Sequence, residues 1–335
     1  MNKVLTLILV ALLVFAVASP LFAGGQREGA AERPIVLVGG TMLPEGHVFD
    51  QTLNVFKDRL MEYYDGPLQV ELHHSGTLGT EMDAIEYMIQ GVAVDFYIVS
   101  PAWIANWDRT APFIDAPFIF RDVDHWEKSL QADVFAPIAE SMQEKGLRFL
   151  GYGGGGTRHI ISRKPVRSIS EFPDLRMRVQ GSPLHQEVFS ATGIDATPLD
   201  YMEVYNAIGT GVLDALENEP AGLESMRFYE VAPYYILTSH QIVTRILAMS
   251  EKKFQSLPAE LQDAVVRAAQ DAAEFHRTTE VAMGDDVVDD LVRNHGLQVI
   301  EFDNTEMRNR ALPVVENYAR EVGATEIFRS INAIQ

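Results

Sequence analysis

The chain has 335 residues, 47% hydrophobic residues and no cysteine, which fits two globular domains and excludes disulfides, cysteine-zinc sites and thiol catalysis. Its formal net charge is −20, and a chain this acidic repels nucleic acids and anionic lipids, so neither is an expected partner. Arginines that cluster in the middle of such a chain therefore need an explanation.

The first 23 residues predict a signal peptide. A short positive segment, MNK, precedes the apolar run VLTLILVALLVFAVASPLFA. Cleavage is expected after Ala18 or Ala23. An uncleaved membrane anchor is the alternative, because the run is nearly long enough to span a bilayer. Residues 24–33 then form a flexible tether, and the mature protein is expected outside the cytoplasm.

The first part of the mature chain alternates predicted strands and helices. A β-branched strand at 35–38 precedes a helix at 49–64, where apolar residues recur every three or four positions. The segments LQVELHH, EMDAIEYMIQ and VDFYIVSPA predict a strand, a helix and a strand. This order favours a parallel sheet, which binds ligands beyond the carboxyl ends of its strands. Those ends lie at 39–47, 73–81 and 100–107.

Two long elements are expected to connect two lobes. A helix at about 123–144 and a strand at 148–152 lead to four consecutive glycines at 153–156. Because glycine weakens a strand interior, we expect these four residues to form a first crossing outside any strand. The apolar strand at 235–249 is long enough to be the return crossing. Residues 257–296 predict one very long helix or a kinked pair, and a last helix is expected to be interrupted at a proline.

The region between the crossings holds two arginines and an amide on predicted strands: Arg158, Arg178 and Asn218. Arginine is costly to bury unless it meets an anion, and its planar fork matches a carboxylate with two hydrogen bonds. In the strand MRVQ, Arg178 points away from the face that packs. We therefore predict the floor of a carboxylate-binding cleft. A structural ion pair of Arg178 with Asp174 or Glu171 is the alternative.

Four residues of the first lobe are further candidates for ligand contact. Glu45 and His47 lie at a predicted strand end and could bind a ligand hydroxyl or a water. Glu81 could face the ligand or stabilise the start of a helix. Trp103 could line the cleft or pack against the APFIF segment. No metal site is expected, because adjacent histidines in a strand face opposite ways.

Segments spread over nearly the whole mature chain resemble the DctP-type subunits of tripartite ATP-independent periplasmic (TRAP) transporters. They are HSGTLGTE, APFIF, GTRHIISRKPV, DLRMRVQGSP, TPLDYMEVYNAIGTGVLDALENEP, FYEVAPYYILTSH and SLPAELQDAVVRAA. The resemblance implies an α/β, two-lobe periplasmic-binding-protein fold (type II-like) with hinge strands and a long helix that braces both lobes. Lobe 1 is expected at 34–155 plus about 244–283, and lobe 2 at 156–243 plus about 284–335.

The resemblance also implies roles for single residues. It gives Arg178 a two-pronged salt bridge to the ligand carboxylate, and it brings Arg158 and Asn218 to the same end of the ligand. Tyr201 stands where an aromatic residue lines the family's pocket. In the family's QEN-P segment this chain differs, since Leu216 replaces glutamine and Glu219 is inserted before the proline.

These features predict a periplasmic solute receptor. It would bind a small organic acid, such as a uronate or a C4-dicarboxylate, and deliver it as a monomer to the small and large membrane subunits of a TRAP permease. No cofactor is expected. The chain lacks the G-x-S-x-G and H-E-x-x-H motifs, so we do not expect an enzyme. A ligand-sensing module for a signalling receptor is the alternative.

Overall fold

The computed structural model describes residues 33–335. The predicted signal peptide and nearly all of the predicted tether lie outside the described residues. Within the described part, nine strands form one mixed sheet. They are β1 (Ile35–Gly40), β2 (Leu68–His73), β3 (Phe96–Val99), β4 (Leu147–Ser162), β5 (Arg176–Val179), β6 (Asp195–Pro198), β7 (Ala215–Asn218), β8 (Tyr234–Ser250) and β9 (Gln298–Ile300).

Helices cover the sheet. Within the same residues they are α1 (Val48–Tyr63), α2 (Glu81–Gln90), α3 (Pro101–Ile104), α4 (Val123–Gln131), α5 (Ala136–Glu144), α6 (Pro183–Ala191), α7 (Val204–Gly209), α8 (Pro220–Ser225), α9 (Glu251–Ser256), α10 (Ala259–His295), α11 (Thr305–Val322) and α12 (Thr325–Ala333). None of these helices combines the length and the apolar character needed to cross a membrane.

The sheet has two parallel halves joined by two long antiparallel strands. The strand order is β2-β1-β3-β8-β4-β7-β5-β6, and β9 pairs with β8. On one side β1 is parallel to β2 and β3, as predicted, and on the other β5 is parallel to β6 and β7. We call the β1–β3 side lobe 1 and the β5–β7 side lobe 2. The central pair, β4 and β8, runs through both lobes, which confirms the predicted return strand.

The four glycines of the first crossing lie inside β4, so the expectation of a break in the strand was wrong. The strand is irregular there, with a register shift between Gly154 and Thr157 and φ near +106° at Gly154 and Gly155. A side chain would also not fit: a Cβ at Gly153 would lie 2.3 Å from Nδ1 of His276. The glycines therefore let a bulged strand pass directly against α10.

The long helix α10 is a single helix of 37 residues, rather than a kinked pair. It packs against α1 in lobe 1 and against α8 in lobe 2, so it braces both lobes as expected. The helix ends where Gly296 adopts a left-handed conformation, with φ 73°. Two small buried residues on its inner face, Ala269 and Ala273, lie directly against Gly151 of β4 and allow the close approach of the strand.

Two other helix predictions were wrong in detail. The predicted helix at 123–144 is divided into α4 and α5, because Asp133 has φ +53° and a proline lies in the first turn of α5. Helix α11 continues through Pro313. The lobe boundaries stay a prediction. One contact crosses them: the carbonyl of Ile331 in α12, which was assigned to lobe 2, lies 2.8 Å from Nε2 of His125, which was assigned to lobe 1.

Candidate functional site

A cavity of about 40 Å³ lies between the lobes, beyond the carboxyl ends of the parallel strands of both. Lobe 1 contributes Met42, Leu43, Phe49, Glu81, Ser100 and Trp103; lobe 2 contributes Arg178, Gln180, Tyr201, Asn218 and Glu219; the crossing strands contribute Arg158 and Arg245. A cavity needs ~10–15 Å³ of such free volume to hold a single water molecule, so this cavity is small. The lobes are therefore closed tightly upon each other.

Six of the eight predicted site residues line this cavity: Arg178, Arg158, Asn218, Tyr201, Glu81 and Trp103. The other two do not. Glu45 is exposed on the loop before α1. His47 is 5% exposed and caps α1, where its Nδ1 accepts a hydrogen bond from the amide of Phe49. The ligand contacts of these two residues stay a prediction that their positions do not support.

Arg178 is a buried cation without an anionic partner in residues 33–335. Its side chain is 2% exposed, and its only side-chain hydrogen bond within those residues runs from Nε to the carbonyl of Leu199, at 2.9 Å. The alternative ion pairs with Asp174 or Glu171 do not form. Burial lowers the pKa of Arg178, although an arginine stays protonated at neutral pH. Its two Nη groups are thus free to meet a carboxylate.

Arg158, in contrast, is already neutralised. Its Nε donates to Oε2 of Glu217 at 2.5 Å, its Nη2 donates to the Glu217 carbonyl at 2.7 Å, and its Nη1 donates to Glu219. Burial favours the neutral form of Glu217, but the Arg158 guanidinium outweighs it and holds the pKa of that carboxyl below its usual range. This arginine therefore supports the cavity wall and carries two counter-ions of its own.

A third arginine, Arg245 on β8, was missed by sequence reasoning. It is 8% exposed, and its guanidinium lies 3.8 Å from Asp115 and 3.9 Å from Glu219, beyond hydrogen-bond distance. Burial raises the pKa of Asp115 to about 7, against the opposing effect of Arg245. The signal was present, since Arg245 is the one charged residue in the strand segment QIVTRILAMS.

Asn218 and Tyr201 form a second polar group beside Arg178. Nδ2 of Asn218 donates to the Tyr201 hydroxyl at 2.6 Å, and the Arg178 guanidinium carbon lies 5.5 Å from the centre of the tyrosine ring. Helix α8 approaches closely because residue 222 is glycine: a Cβ at Gly222 would lie 2.2 Å from Asn218 Nδ2. The end of β7 is thereby fixed against the cavity.

On the wall of lobe 1, Glu81 faces the cavity and does not cap its helix. Thr80 and Asp83 form the capping box of α2, while a carboxylate oxygen of Glu81 accepts a hydrogen bond from the amide of Ser100. Burial raises the pKa of Glu81 to about 7, partly offset by that amide and by the nearby arginines. Glu81 is therefore charged in only part of the molecules near neutral pH.

Direct contacts close the two lobes across the cavity. The Ser100 hydroxyl donates to Oε1 of Gln180 at 2.5 Å. The Trp103 ring lies over Gly181, where a Cβ would be 1.9 Å from the ring. Gln180 was also missed, although it follows Arg178 by two residues and so shares its face of the strand.

No group of three or more His, Asp or Glu side chains in the described part of the chain is arranged to hold a metal ion. The cavity instead combines cations, amides, hydroxyls and carboxylates with the apolar faces of Trp103 and Phe49. Such a set can orient a small polar anion by hydrogen bonds and pack against its carbon skeleton.

Comparisons with known proteins agree with this geometry. A solute-binding protein of Sulfitobacter sp. (strain NAS-14.1) is 38% identical over 320 residues, covering 95% of this chain and 96% of that protein. A TRAP periplasmic solute-binding protein structure from Sulfitobacter sp. NAS-14.1, with bound α-D-taluronate, is 39% identical with a TM-score of 0.87, covering 89% of this chain and 97% of that chain.

A second TRAP periplasmic solute-binding protein structure from Sulfitobacter sp. NAS-14.1, with bound β-D-galacturonate, has 28% identity and a TM-score of 0.83, covering 88% of this chain and all of that chain. The family described as "Bacterial extracellular solute-binding protein, family 7", or DctP, matches residues 39–321. The chain therefore belongs to the DctP family of periplasmic solute-binding proteins.

Proposed function

We propose that this protein binds a six-carbon sugar acid, a uronate first of all, and presents it to a TRAP permease. The observation that carries the proposal is Arg178. A buried arginine without a carboxylate partner in the described chain is costly, and the carboxylate of a ligand supplies the missing partner with two parallel hydrogen bonds. Asn218 lies beside it and can donate to the same group.

The remaining cavity residues suit hydroxyl groups and a carbon ring. Glu81 and Glu219 are acceptors on opposite walls, and Ser100 and Gln180 can both donate and accept. Trp103 offers an apolar face to a sugar ring. The relatives with bound taluronate and galacturonate support a uronate, because each of those ligands carries one carboxylate and several hydroxyls.

Binding would act through closure of the lobes. Contacts such as Ser100 with Gln180 exist only when the lobes meet, so a ligand that touches both walls favours the closed form. We propose that the closed, loaded monomer then docks onto the small and large membrane subunits of the permease. Residues 153–156 and strand β8 connect the lobes and are the expected hinge.

Calorimetric titration of the mature protein with a panel of acids tests the proposal. The panel contains D-taluronate, D-galacturonate, succinate and N-acetylneuraminate. We expect micromolar or tighter binding of at least one uronate and at least ~100-fold weaker binding of succinate, a difference of about 2.7 kcal/mol. Tight binding of succinate or of N-acetylneuraminate, with no binding of either uronate, would contradict the proposal.

A further inference from the structure

We infer, building on the proposed function, that Glu81 and Glu219 decide how many carboxylates a ligand can carry. They stand on opposite walls of the cavity and exclude a second carboxylate. The protein would then accept sugar acids with a single carboxylate, such as uronates and aldonates. It would refuse aldarates, which have the same carbon chain with a carboxylate at each end.

The backbone fixes Glu219 against the cavity. Asn218 ends β7 and Pro220 begins α8, which leaves Glu219 as the single residue between the two elements. Its backbone is extended, with φ −80° and ψ 161°, and its side chain makes no hydrogen bond to cap the helix. The side chain turns to the cavity wall, is 3% exposed as a residue, and contacts Arg158.

The charges of the cavity leave a place for one ligand carboxylate. Arg158 already binds the side chains of two glutamates. Arg245 has Asp115 and Glu219 within 4 Å. Among the arginines that line the cavity, only Arg178 has no carboxylate within that distance in residues 33–335. A second ligand carboxylate would have to displace Glu219 from its arginines or lie unpaired in a buried site.

Ligand hydroxyl groups, in contrast to a second carboxylate, can bind to these two glutamates. An ionised carboxylate accepts hydrogen bonds and cannot donate them, so at pH 8, where Glu81 is mostly ionised, Glu81 and Glu219 are good partners for sugar hydroxyls and poor ones for another anion. Two like charges about 5 Å apart at an effective dielectric constant of about 20 repel each other enough to weaken binding by ~100-fold. The two glutamates thus favour one class of sugar acid by repelling the other.

Galactonate and galactarate form the matched ligand pair, because they share one open carbon chain and differ in a single terminal group. At pH 8, where Glu81 is mostly ionised, we expect the wild-type protein to bind galactonate at least ~100-fold more tightly than galactarate. Glu219→Gln should narrow this ratio at least ~10-fold, mainly through tighter binding of galactarate. Glu81→Gln, on the wall formed by lobe 1, should also narrow the ratio of galactonate to galactarate affinity. The control is Glu224→Gln, an exposed glutamate on α8, which should leave the ratio unchanged.

Each outcome has a distinct meaning. A wild-type protein that binds galactarate as tightly as galactonate overturns the inference but leaves a carboxylate site in place. The inference is also overturned if Glu81→Gln and Glu219→Gln, both folded by circular dichroism, keep the wild-type ratio of galactonate to galactarate affinity. If Glu219→Gln does not fold, Glu81→Gln alone decides, because it changes no contact of Arg158. If D-taluronate and D-galacturonate both fail to bind the wild type, the proposed function fails and takes this inference with it. A wild type that binds a uronate but not galactonate overturns this inference alone.

Discussion

Three buried arginines line one cavity, and their partners give them different roles. Arg158 is enclosed by two glutamates and stabilises the wall, whereas Arg178 has no carboxylate within 4 Å among residues 33–335. Arg245 lies between these cases, with its nearest carboxylates at 3.8 and 3.9 Å. Burial makes each cation costly, so the one without a partner is the place where an anionic ligand gains most.

Glu81 should make ligand affinity depend on pH near neutrality. Its pKa is raised to about 7 by burial, with Arg178 and Arg245 opposing this effect and Asp200 adding to it. An anionic ligand beside Glu81 favours the protonated carboxyl, so binding takes up a proton. Affinity for D-galacturonate should therefore fall about three- to tenfold as the pH rises from 6 to 8.

Calorimetry in buffers of different ionisation enthalpy measures that proton uptake directly. Glu81→Gln should reduce the pH dependence, because the group that takes up the proton is then absent. Equal pH profiles for the wild type and Glu81→Gln would show that Glu81 does not titrate with ligand binding. The exposed Glu224→Gln serves as the control for a lost carboxylate elsewhere on the surface.

At the scale of single elements, the crossing of β4 under α10 decides how the lobes are joined. Gly153→Ala should destabilise the protein by about 1–3 kcal/mol, because the new methyl group would overlap the ring of His276 on the long helix. Gly284→Ala, within α10 itself, is the matched control. Its Cβ would meet only Pro220, at 3.9 Å, and alanine should stabilise the helix by about 0.5–1 kcal/mol.

Urea unfolding of both variants measures these opposite effects on the free energy of unfolding. A Gly153→Ala protein as stable as the wild type would mean that β4 can move away from α10 without a loss in the free energy of unfolding. It would also remove the physical reason for glycine at this position of the strand.

The elements themselves were largely predictable, and the contacts between them were not. Periodicity located α1 and the long strand β8, and the resemblance singled out Arg178 and Asn218. The family, its two-lobe fold and its periplasmic binding role are confirmed by the match over residues 39–321 and by the similar structures. The pairing of Glu219 with Arg158 joins residues 61 positions apart, and no local pattern reports such a contact.

The roles of Arg245 and of the glycine run were missed for the same reason. A charged residue in an apolar strand indicates an inward cation, but its neighbours come from another part of the sheet. The glycines indicated a crossing, yet only the approach of α10 explains why the strand continues through them. Sequence spacing describes one element at a time, whereas these features depend on two.

For the whole molecule, the close fit between the lobes should matter more for binding than for stability. Gly181→Ala would place a methyl group 1.9 Å from the Trp103 ring, a contact that forms only when the lobes close. We expect at least ~10-fold weaker ligand binding, about 1.4 kcal/mol, with an almost unchanged melting temperature of the free protein.

Gly209→Ala is the control, because its Cβ would make only an ordinary contact with Val231, at 3.5 Å. Small-angle scattering should show that ligand compacts the wild type and the control more than the Gly181→Ala protein. Wild-type affinity and compaction in Gly181→Ala would rule out Trp103 and Gly181 as a closing contact of the lobes.

The central claim is that Arg178 binds the carboxylate of a sugar acid. The most direct test compares Arg178→Ala with Arg176→Ala, which removes an exposed arginine two residues earlier on the same strand. Calorimetry with the uronate that binds the wild type best should show a loss of about 3–5 kcal/mol for Arg178→Ala, roughly two to three and a half decades in Kd. Arg176→Ala should stay within about threefold of the wild type, a change below 1 kcal/mol. Wild-type affinity in a folded Arg178→Ala protein would contradict the account.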